Sequence, residues 1–259
     1  DPYDVAGGQA LLAAVGGTLV ELDGTPIQYG RGSTFGGCIG GRPEIVQELL
    51  QRNLGAGPRV KRHPARPKFR TETFGALRWA QGTLLGQLAG DALGSYVEFQ
   101  SADAIRHRYP DGVVDLRSGG HWGTIAGQPT DDSEMALGLA RSIVAKGGFS
   151  LDAVGAAYVA WGESKPFDIG GTTAAGLNAI RGRGRPNLES QSNGALMRVS
   201  PIGIYSARNP EQASKLARED AALTHPHPVC LASSAAFAAA IAAGIGGADN
   251  RTMWSVAHA

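Results

Sequence analysis

Asp131 and Asp132 are adjacent acids, flanked by Thr130 and Ser133 in the run 129–135 (Pro-Thr-Asp-Asp-Ser-Glu-Met), just where an apolar-periodic segment begins. Two neighbouring carboxylates with a hydroxyl form a compact hard-oxygen set of the kind Mg²⁺ or Mn²⁺ takes, and such a pair can bridge two ions. About thirty residues earlier, the run 86–99 (Gly-Gln-Leu-Ala-Gly-Asp-Ala-Leu-Gly-Ser-Tyr-Val-Glu-Phe) supplies Asp91 and Glu98. Its small residues Gly86, Ala89, Gly90, Ala92 and Gly94 predict close helix approach, which would gather more carboxylates than an uncompensated core can hold. A divalent cation is the natural compensation. The competing reading is a helix cap, with Thr130 or Asp131 capping a helix that starts at Asp132. A cap needs one acid, and two acids plus a threonine exceed that need.

Other segments offer ligand-binding chemistry. Asp168 lies in a Pro-Phe-Asp-Ile-Gly-Gly loop just before a helix start, where glycine lets the backbone approach a ligand, and where an aspartate also suits an N-terminal cap. The run Ser192-Asn193-Gly194-Ala195 opens a predicted helix, and exposed N–H groups there suit a diphosphate or a ribose as well as an ordinary Ser/Asn cap. Arg181-Gly-Arg-Gly-Arg185 reads first as a solvated basic turn and second as a diphosphate contact. His225 and His227 are separated by proline and cannot form an i, i+4 metal pair on one helix face.

The elements that must carry these residues fall into two patterns. Residues 1–52 read as α/β: a helix over 5–15, a strand over 18–22, a turn at Asp23-Gly24, Gly-rich loop or strand over 29–41, and a helix over 42–51 with Pro43 in its first turn. Residues 53–73 are Pro-rich and basic and read as an extended linker, with a phosphate-binding or nucleic-acid-binding arm as the alternative. From residue 74 onward the periodicity is helical, at about 74–94, 101–108, 132–146, 150–162, 171–181, 193–207, 210–223 and 229–244. Ser150 and Asn209, the latter before Pro210, are the predicted caps. The fold class is therefore mainly α: an all-α domain over 74–259 preceded by a small α/β segment.

Composition excludes several classes. The chain has 259 residues, 42% apolar and 18% charged, with a formal charge of +1, which is ordinary for a globular protein and too weakly basic to imply nucleic acid. Cys38 and Cys230 lie outside any Cys/His metal spacing, so neither a zinc site nor a disulfide is expected, and a reducing cytoplasm fits best. The uncharged run 229–247 is long enough to cross a bilayer, but alanine, glycine and serine dominate it, and a buried helix is the expectation. Phosphate-loop, His-Glu-x-x-His and Gly-x-Ser-x-Gly motifs are absent, and the Gly36-Gly-Cys-Ile-Gly-Gly41 run lacks the context of a dinucleotide fingerprint. The first residue is not Met and no signal-peptide pattern follows, so the sequence reads as a piece of a longer chain.

Five ordered motifs carry a resemblance: Gly-Asp-Ala-Leu-Gly, Thr-Asp-Asp-Ser, Lys165-Pro-Phe-Asp168-Ile-Gly-Gly-Thr-Thr173, Ser192-Asn193-Gly-Ala-Leu-Met-Arg198 and Leu223-Thr-His225-Pro-His-Pro. Together, over about 75–250, they resemble the ADP-ribosylglycohydrolase family. The resemblance implies an all-α domain of orthogonally packed helices that cleaves the glycosidic bond of ADP-ribose with two Mg²⁺ ions, so the implied partner is ADP-ribose or an ADP-ribosylated protein. It implies metal ligation by Thr130, Asp131 and Asp132 and places Asp168 and Glu98 as the acid–base pair. Gly170, Ser192, Asn193, Gly194, Ala195, Met197 and His225 fall on the substrate side. For His225 the competing reading is a cap at a helix C-terminus, and for Glu98 it is a surface acid. The family's second metal-ligand segment, Asp-x-Asp-Thr, has no counterpart before Ala259, and Ser133 stands where many relatives have threonine. Residues 1–52 are similar to the C-terminal part of the inositol monophosphatase family, which implies a metal-binding role for Asp4 that one ligand cannot sustain alone.

Overall fold

The computed structural model describes residues 18–26, 38–41, 43–51 and 73–259. The expected helix over 5–15, Asp4, all of 29–37 and the linker up to residue 72 lie outside the described residues. The chain divides into two compact units, Asp1–Pro67 and Lys68–Ala259.

In the first unit, β1 (Thr18–Glu21) pairs antiparallel with β2 (Cys38–Gly41), Thr18 opposite Gly41 and Glu21 opposite Cys38. The turn after β1 forms where Asp23-Gly24 predicts it. Asp23 accepts hydrogen bonds from the Thr25 amide (2.9 Å) and hydroxyl (2.7 Å), and Gly24 takes the left-handed φ of 88° that glycine adopts without steric cost. Helix α1 (Pro43–Gln51) follows, its first turn opened by proline, and Leu19 and Val46 are buried.

The second unit is helical: α2 (Thr73–Gly94), α3 (Ala102–Arg108), α4 (Asp131–Lys146), α5 (Leu151–Glu163), α6 (Gly171–Ile180), a short 3₁₀ turn (Leu196–Arg198), α7 (Ser200–Tyr205), α8 (Pro210–Ala222), α9 (Pro228–Ile245) and α10 (Asn250–His258). Its core takes Met135, Leu139 and Ile143 from α4, Val154 and Tyr158 from α5, Leu177 from α6, and Ala213, Ala217, Ala238 and Ala242 from α8 and α9. The four-residue spacing along α4 puts its three apolar residues on one stripe, as a helix packed on one face requires. The two expected caps form: Ser150 accepts from the Ala153 amide, and Asn209 accepts from the Gln212 amide with Pro210 at the first helical position. Helix α9, with mean hydropathy 1.8 over its 18 residues, is long and apolar enough to cross a membrane by length and composition alone. Its Cys230, Ala235, Ala238, Ala239, Ala242 and Ala243 are buried, and Gly203 of α7 lies so close to it that a Cβ there would meet Ile241 at 2.5 Å.

Three expectations are corrected. Helix 193–207 does not form: the segment is a turn, a 3₁₀ turn and the short α7. Pro201 is the cause, because its missing N–H and its ring forbid an interior helical bond to Met197, whose carbonyl instead accepts the Gln87 side-chain amide at 3.1 Å. The glycines of α2 do not mediate close packing, since a Cβ at Gly82, Gly86, Gly90 or Gly94 would meet nothing within 4 Å among the described residues. Of Gly86, Ala89, Gly90, Ala92 and Gly94, Ala92 alone is buried. Helix α10 was not foreseen: Asp249 caps it through the Thr252 amide (2.9 Å), within a polar segment that has no long apolar stripe.

Candidate active site

Asp131 and Asp132 open α4, and neither they nor Thr130 provide its cap. The cap comes from α2. The Asp91 carboxylate accepts from the Thr130 amide (3.0 and 3.2 Å), the Thr130 hydroxyl (2.7 Å), the Ser133 amide (3.1 Å) and the Ser133 hydroxyl (2.6 Å). It satisfies orphan N–H groups of the first turn from a distant helix, which is the task of an N-cap side chain. Thr130 makes no side-chain bond to its own helix. The capping alternative for the acid pair therefore fails on geometry, and both aspartates are left for another purpose. Gln87, one turn before Asp91, donates to the carbonyls of Asp132 (3.2 Å) and Met197 (3.1 Å) and accepts from the Ser200 hydroxyl, so α2 also ties the acid pair to the 3₁₀ turn.

The acids crowd. Asp131 is 8% exposed, and its carboxyl is pushed up to about 8 by burial, then by the charges of Asp168, Asp132 and Asp91. Burial and Asp91 raise Asp132 to about 6, and burial and Glu98 raise Asp168 above the ordinary carboxylate range. Asp132 and Asp168 both act on Asp131 through their charges, so the proton affinities of the three carboxyls depend on one another. The positive end of the α4 dipole favours charge here and does not suffice.

Glu98 and Asp168 reach this rim on strained loops. Phe99, next to Glu98, and Lys165, before Asp168, adopt φ of 60° and 58°, a left-handed conformation that costs a non-glycine residue roughly 1–2 kcal/mol. An aromatic chain joins the two loops edge to face: Phe99 with His121 (4.7 Å between ring centres), His121 with Trp122 (4.6 Å), and Trp122 with Phe167 (5.9 Å). Within it, the Trp122 indole N–H donates to Glu98 at 2.9 Å.

The remaining predicted residues line the neighbouring turn. Gly170 precedes the first residue of α6, and Thr172 and Thr173 on that helix abut the turn 190–194, through a Thr172–Ser190 hydroxyl bond of 2.7 Å and the approach of Thr173 to Gly194. Asn193, Met197 and Asp132 share a cavity of about 500 Å³ with Gly86, Gln87 and Ser200. Ser192 and Asn193 are exposed, whereas Gly194 and Ala195 are buried, so the latter two offer a ligand backbone only. The His225 amide does bond the Ala221 carbonyl at the end of α8 (2.7 Å), but its ring is 1% exposed and lies under the turn, with Nδ1 on the Thr224 hydroxyl (2.8 Å) and Nε2 on the Ser192 hydroxyl (3.1 Å). Burial and the Arg198 charge lower its pKa to about 4, so it is neutral. A Cβ on Gly194 would meet the ring at 2.7 Å.

Beneath this turn sits a group that sequence reasoning missed. Arg198 and Asp220, both fully buried, pair through Nε and Oδ2 at 3.0 Å. Tyr158 donates to Asp220 Oδ1 at 2.7 Å, and its ring lies 4.4 Å from the guanidinium carbon. Arg198 also donates to the carbonyls of Gly194 and Asp220 and to the Thr224 hydroxyl. The only signal in the sequence is an arginine inside an otherwise apolar run.

Among the described residues no three His, Cys, Asp or Glu side chains form a ready-made metal-ligand set. The donor chemistry nevertheless fits a hard divalent cation, because Asp131, Asp132 and Asp168 are all oxygen donors held at a proton affinity that a cation would relieve.

Comparison with known proteins gives a consistent result. A sequence model of the ADP-ribosylglycohydrolase family matches residues 76–259. The ADP-ribosyl-dinitrogen reductase glycohydrolase of Rhodospirillum rubrum is 35% identical over 155 residues, which cover 58% of this chain and 52% of that protein. An ADP-ribosylarginine hydrolase of Pseudomonas putida (strain GB-1) is 34% identical over 142 residues, 50% of this chain and 37% of its own length. A solved structure titled "ADP-ribosylglycohydrolase-related protein complex" superposes with a TM-score of 0.61 at 26% identity, covering 71% of this chain and 62% of that one. The chain thus spans about half the length of the curated relatives it matches, and it belongs to the ADP-ribosylglycohydrolase family.

Proposed function

We propose that this chain supplies the acid cluster and the ligand-binding turn of a Mg²⁺-dependent hydrolase that removes ADP-ribose from a modified protein or small molecule in a reducing cytoplasm. The observation that carries the reading is the crowding of Asp131, Asp132 and Asp168 at the capped start of α4, with Asp131 at about 8. Asp131, Asp132 and Thr130 would hold Mg²⁺ or Mn²⁺, with two ions in a complete site. Such an ion, when bound, orients the ribose hydroxyls and a water and offsets developing charge. The chain's own groups do the rest. The backbone at Gly170 and 192–195, with Asn193 and Met197, binds diphosphate and ribose. Asp168, its proton affinity raised, and Glu98, held by Trp122, hold and deliver a proton at the leaving atom as the glycosidic bond breaks through an oxocarbenium-like transition state.

Mg²⁺-dependent release of free ADP-ribose from ADP-ribosylarginine and ADP-ribosylserine substrates tests this, with EDTA as the control; multiple turnovers are expected, and release insensitive to EDTA overturns the metal assignment. A second reading, an ADP-ribose-binding module without turnover, is favoured by the lack of a ready-made three-ligand set among the described residues. Binding without hydrolysis would select it. The likeness of residues 1–52 to inositol monophosphatases remains a proposal about descent, and no hydrolysis of inositol phosphates is expected.

A further inference from the structure

Hydrogen-bond direction in the layer beneath the turn 190–195 is fixed by one residue that has no acceptor to offer. Arg198 can only donate. Its Nη1 gives one bond to the Gly194 carbonyl (3.1 Å) and one to the Thr224 hydroxyl oxygen (2.9 Å). Thr224 is fully buried, so its own proton must find an acceptor inside the protein, and the remaining contact is His225 Nδ1 at 2.8 Å. Nδ1 is then the acceptor, a neutral ring carries its proton on Nε2, and Nε2 donates to the Ser192 oxygen at 3.1 Å. Ser190 donates to the same oxygen at 3.1 Å. With two incoming bonds, the Ser192 proton has only the exposed side of the turn to point toward.

We propose that Arg198 is a positioning residue whose donor character, relayed through Thr224 and His225, makes Ser192 an outward-facing hydrogen-bond donor for an oxyanion such as the diphosphate of ADP-ribose. Asp220 and Tyr158 hold the guanidinium in register, and Gly194 lets the imidazole lie close enough to close the relay. The ligand rests on the functional reading above, and the proton positions rest on the hydrogen-bond geometry around a neutral His225 ring.

Long-range ¹⁵N NMR of the histidine rings in the full chain reads the tautomer directly, with His225→Gln giving the assignment. The Nε2–H tautomer is expected for His225 at pH 7. An Nδ1–H ring or an imidazolium overturns the relay, whatever the variants do. Thr224→Val removes the hydroxyl at constant shape, and is expected to move the His225 Nδ1 resonance, which loses its incoming bond, and to weaken ADP-ribose binding about tenfold as Ser192 is no longer held as a donor, with Mg²⁺ affinity unchanged. Thr224→Ser should restore both signals. An unchanged His225 spectrum in a folded Thr224→Val protein also overturns the proposal. If the unsubstituted chain binds no ADP-ribose, the functional reading falls, and the tautomer still decides the relay.

Discussion

At the Arg198 cluster the buried charges cancel within the chain, whereas at the start of α4 they do not. Arg198 and Asp220 are both inaccessible to solvent, yet the carboxylate accepts from the guanidinium and from Tyr158, and the guanidinium donates on to carbonyls and a hydroxyl. A few ångströms of packing satisfy every obvious demand of the two ions. Among the described residues Asp131, Asp132 and Asp168 have no such partner: the charges acting on them are chiefly other acids, with His121 a minor counterweight to Asp168. A fold able to neutralise one buried acid with arginine leaves the buried Asp131 crowded by the half-buried Asp132 and Asp168, and Asp132 lines a cavity. Charge balanced internally needs nothing further from outside, and charge left unbalanced is where the proposed function seats its cation.

The largest expected effect comes from breaking the balanced site. Arg198→Met leaves Asp220 buried without its counterion and is expected to cost about 3–5 kcal/mol of stability. Chemical denaturation measures it, and Arg198→Met with Asp220→Leu should recover much of the loss. A double variant no better than the single would mean that the pair holds the fold by more than charge compensation.

The same operation at the unbalanced site should have the opposite sign. In EDTA, Asp131→Asn removes a charge that the fold disfavours, so stability near pH 8 is expected to rise by about 1–3 kcal/mol, a discounted figure for a shift of this size. With Mg²⁺ the unsubstituted chain gains stability and the variant does not. The pH dependence follows. Both folded-state values, about 8 for Asp131 and about 6 for Asp132, lie above the unfolded carboxylate value near 3.8. The folded chain therefore binds more protons in that window. This contribution to stability is fully present below about pH 4 and is lost as pH rises through 6 and 8. Melting in EDTA should thus weaken from mildly acid pH toward pH 8.5, and Mg²⁺ should stabilise most at the alkaline end, where it no longer competes with protons. A melting temperature that climbs over this range in EDTA would contradict the crowding of the acids.

How much of this could be read from the sequence depends on distance along the chain. Local signals succeeded: the four-residue apolar stripe of α4, the Ser150 and Asn209 caps and the Asp23-Gly24 turn each rest on neighbours a few residues apart. The excess of acid at the start of α4 was also legible, because two adjacent aspartates exceed what a cap needs, and Asp91 takes the capping bonds. What failed was partnership across the fold. Asp91 was read as one more crowded acid, and it is the cap of a helix some forty residues away, since the donors that claim it come from Thr130 and Ser133. Arg198 carried no pattern that named Asp220 or Tyr158 as its partners. The glycines of α2 suggested a tight interface, but a missing side chain permits approach without compelling it, and their face is open among the described residues.

Between the two sites lies the turn 192–195, and Gly194→Ala tests whether the balanced layer sets the geometry of the ligand-binding one. The added Cβ would sit 2.7 Å from the His225 ring and 2.9 Å from the Thr173 hydroxyl. Neither can retreat cheaply: the ring is buried between Thr224 and Ser192, and Thr173 is buried on α6. About 1–3 kcal/mol of overpacking is expected, with a matching loss of ADP-ribose affinity and little change in Mg²⁺ affinity.

The smallest effect is expected at the rim. Trp122→Phe keeps an aromatic ring between His121 and Phe167 but removes the N–H that Glu98 accepts at 2.9 Å. Glu98 is partly exposed, so water replaces much of the lost bond, and stability should change by no more than about 0.5 kcal/mol. Turnover is more sensitive than folding to the direction in which an acid points, because a proton must be delivered at hydrogen-bond distance. A fall in kcat of roughly tenfold with KM and Mg²⁺ affinity unchanged is therefore the expected signature of a tryptophan that aims Glu98. Equal losses in kcat and thermal stability would instead assign Trp122 to the aromatic chain alone, and the two strained loops that carry Glu98 and Asp168 would then be held in place by ring packing without help from the indole bond.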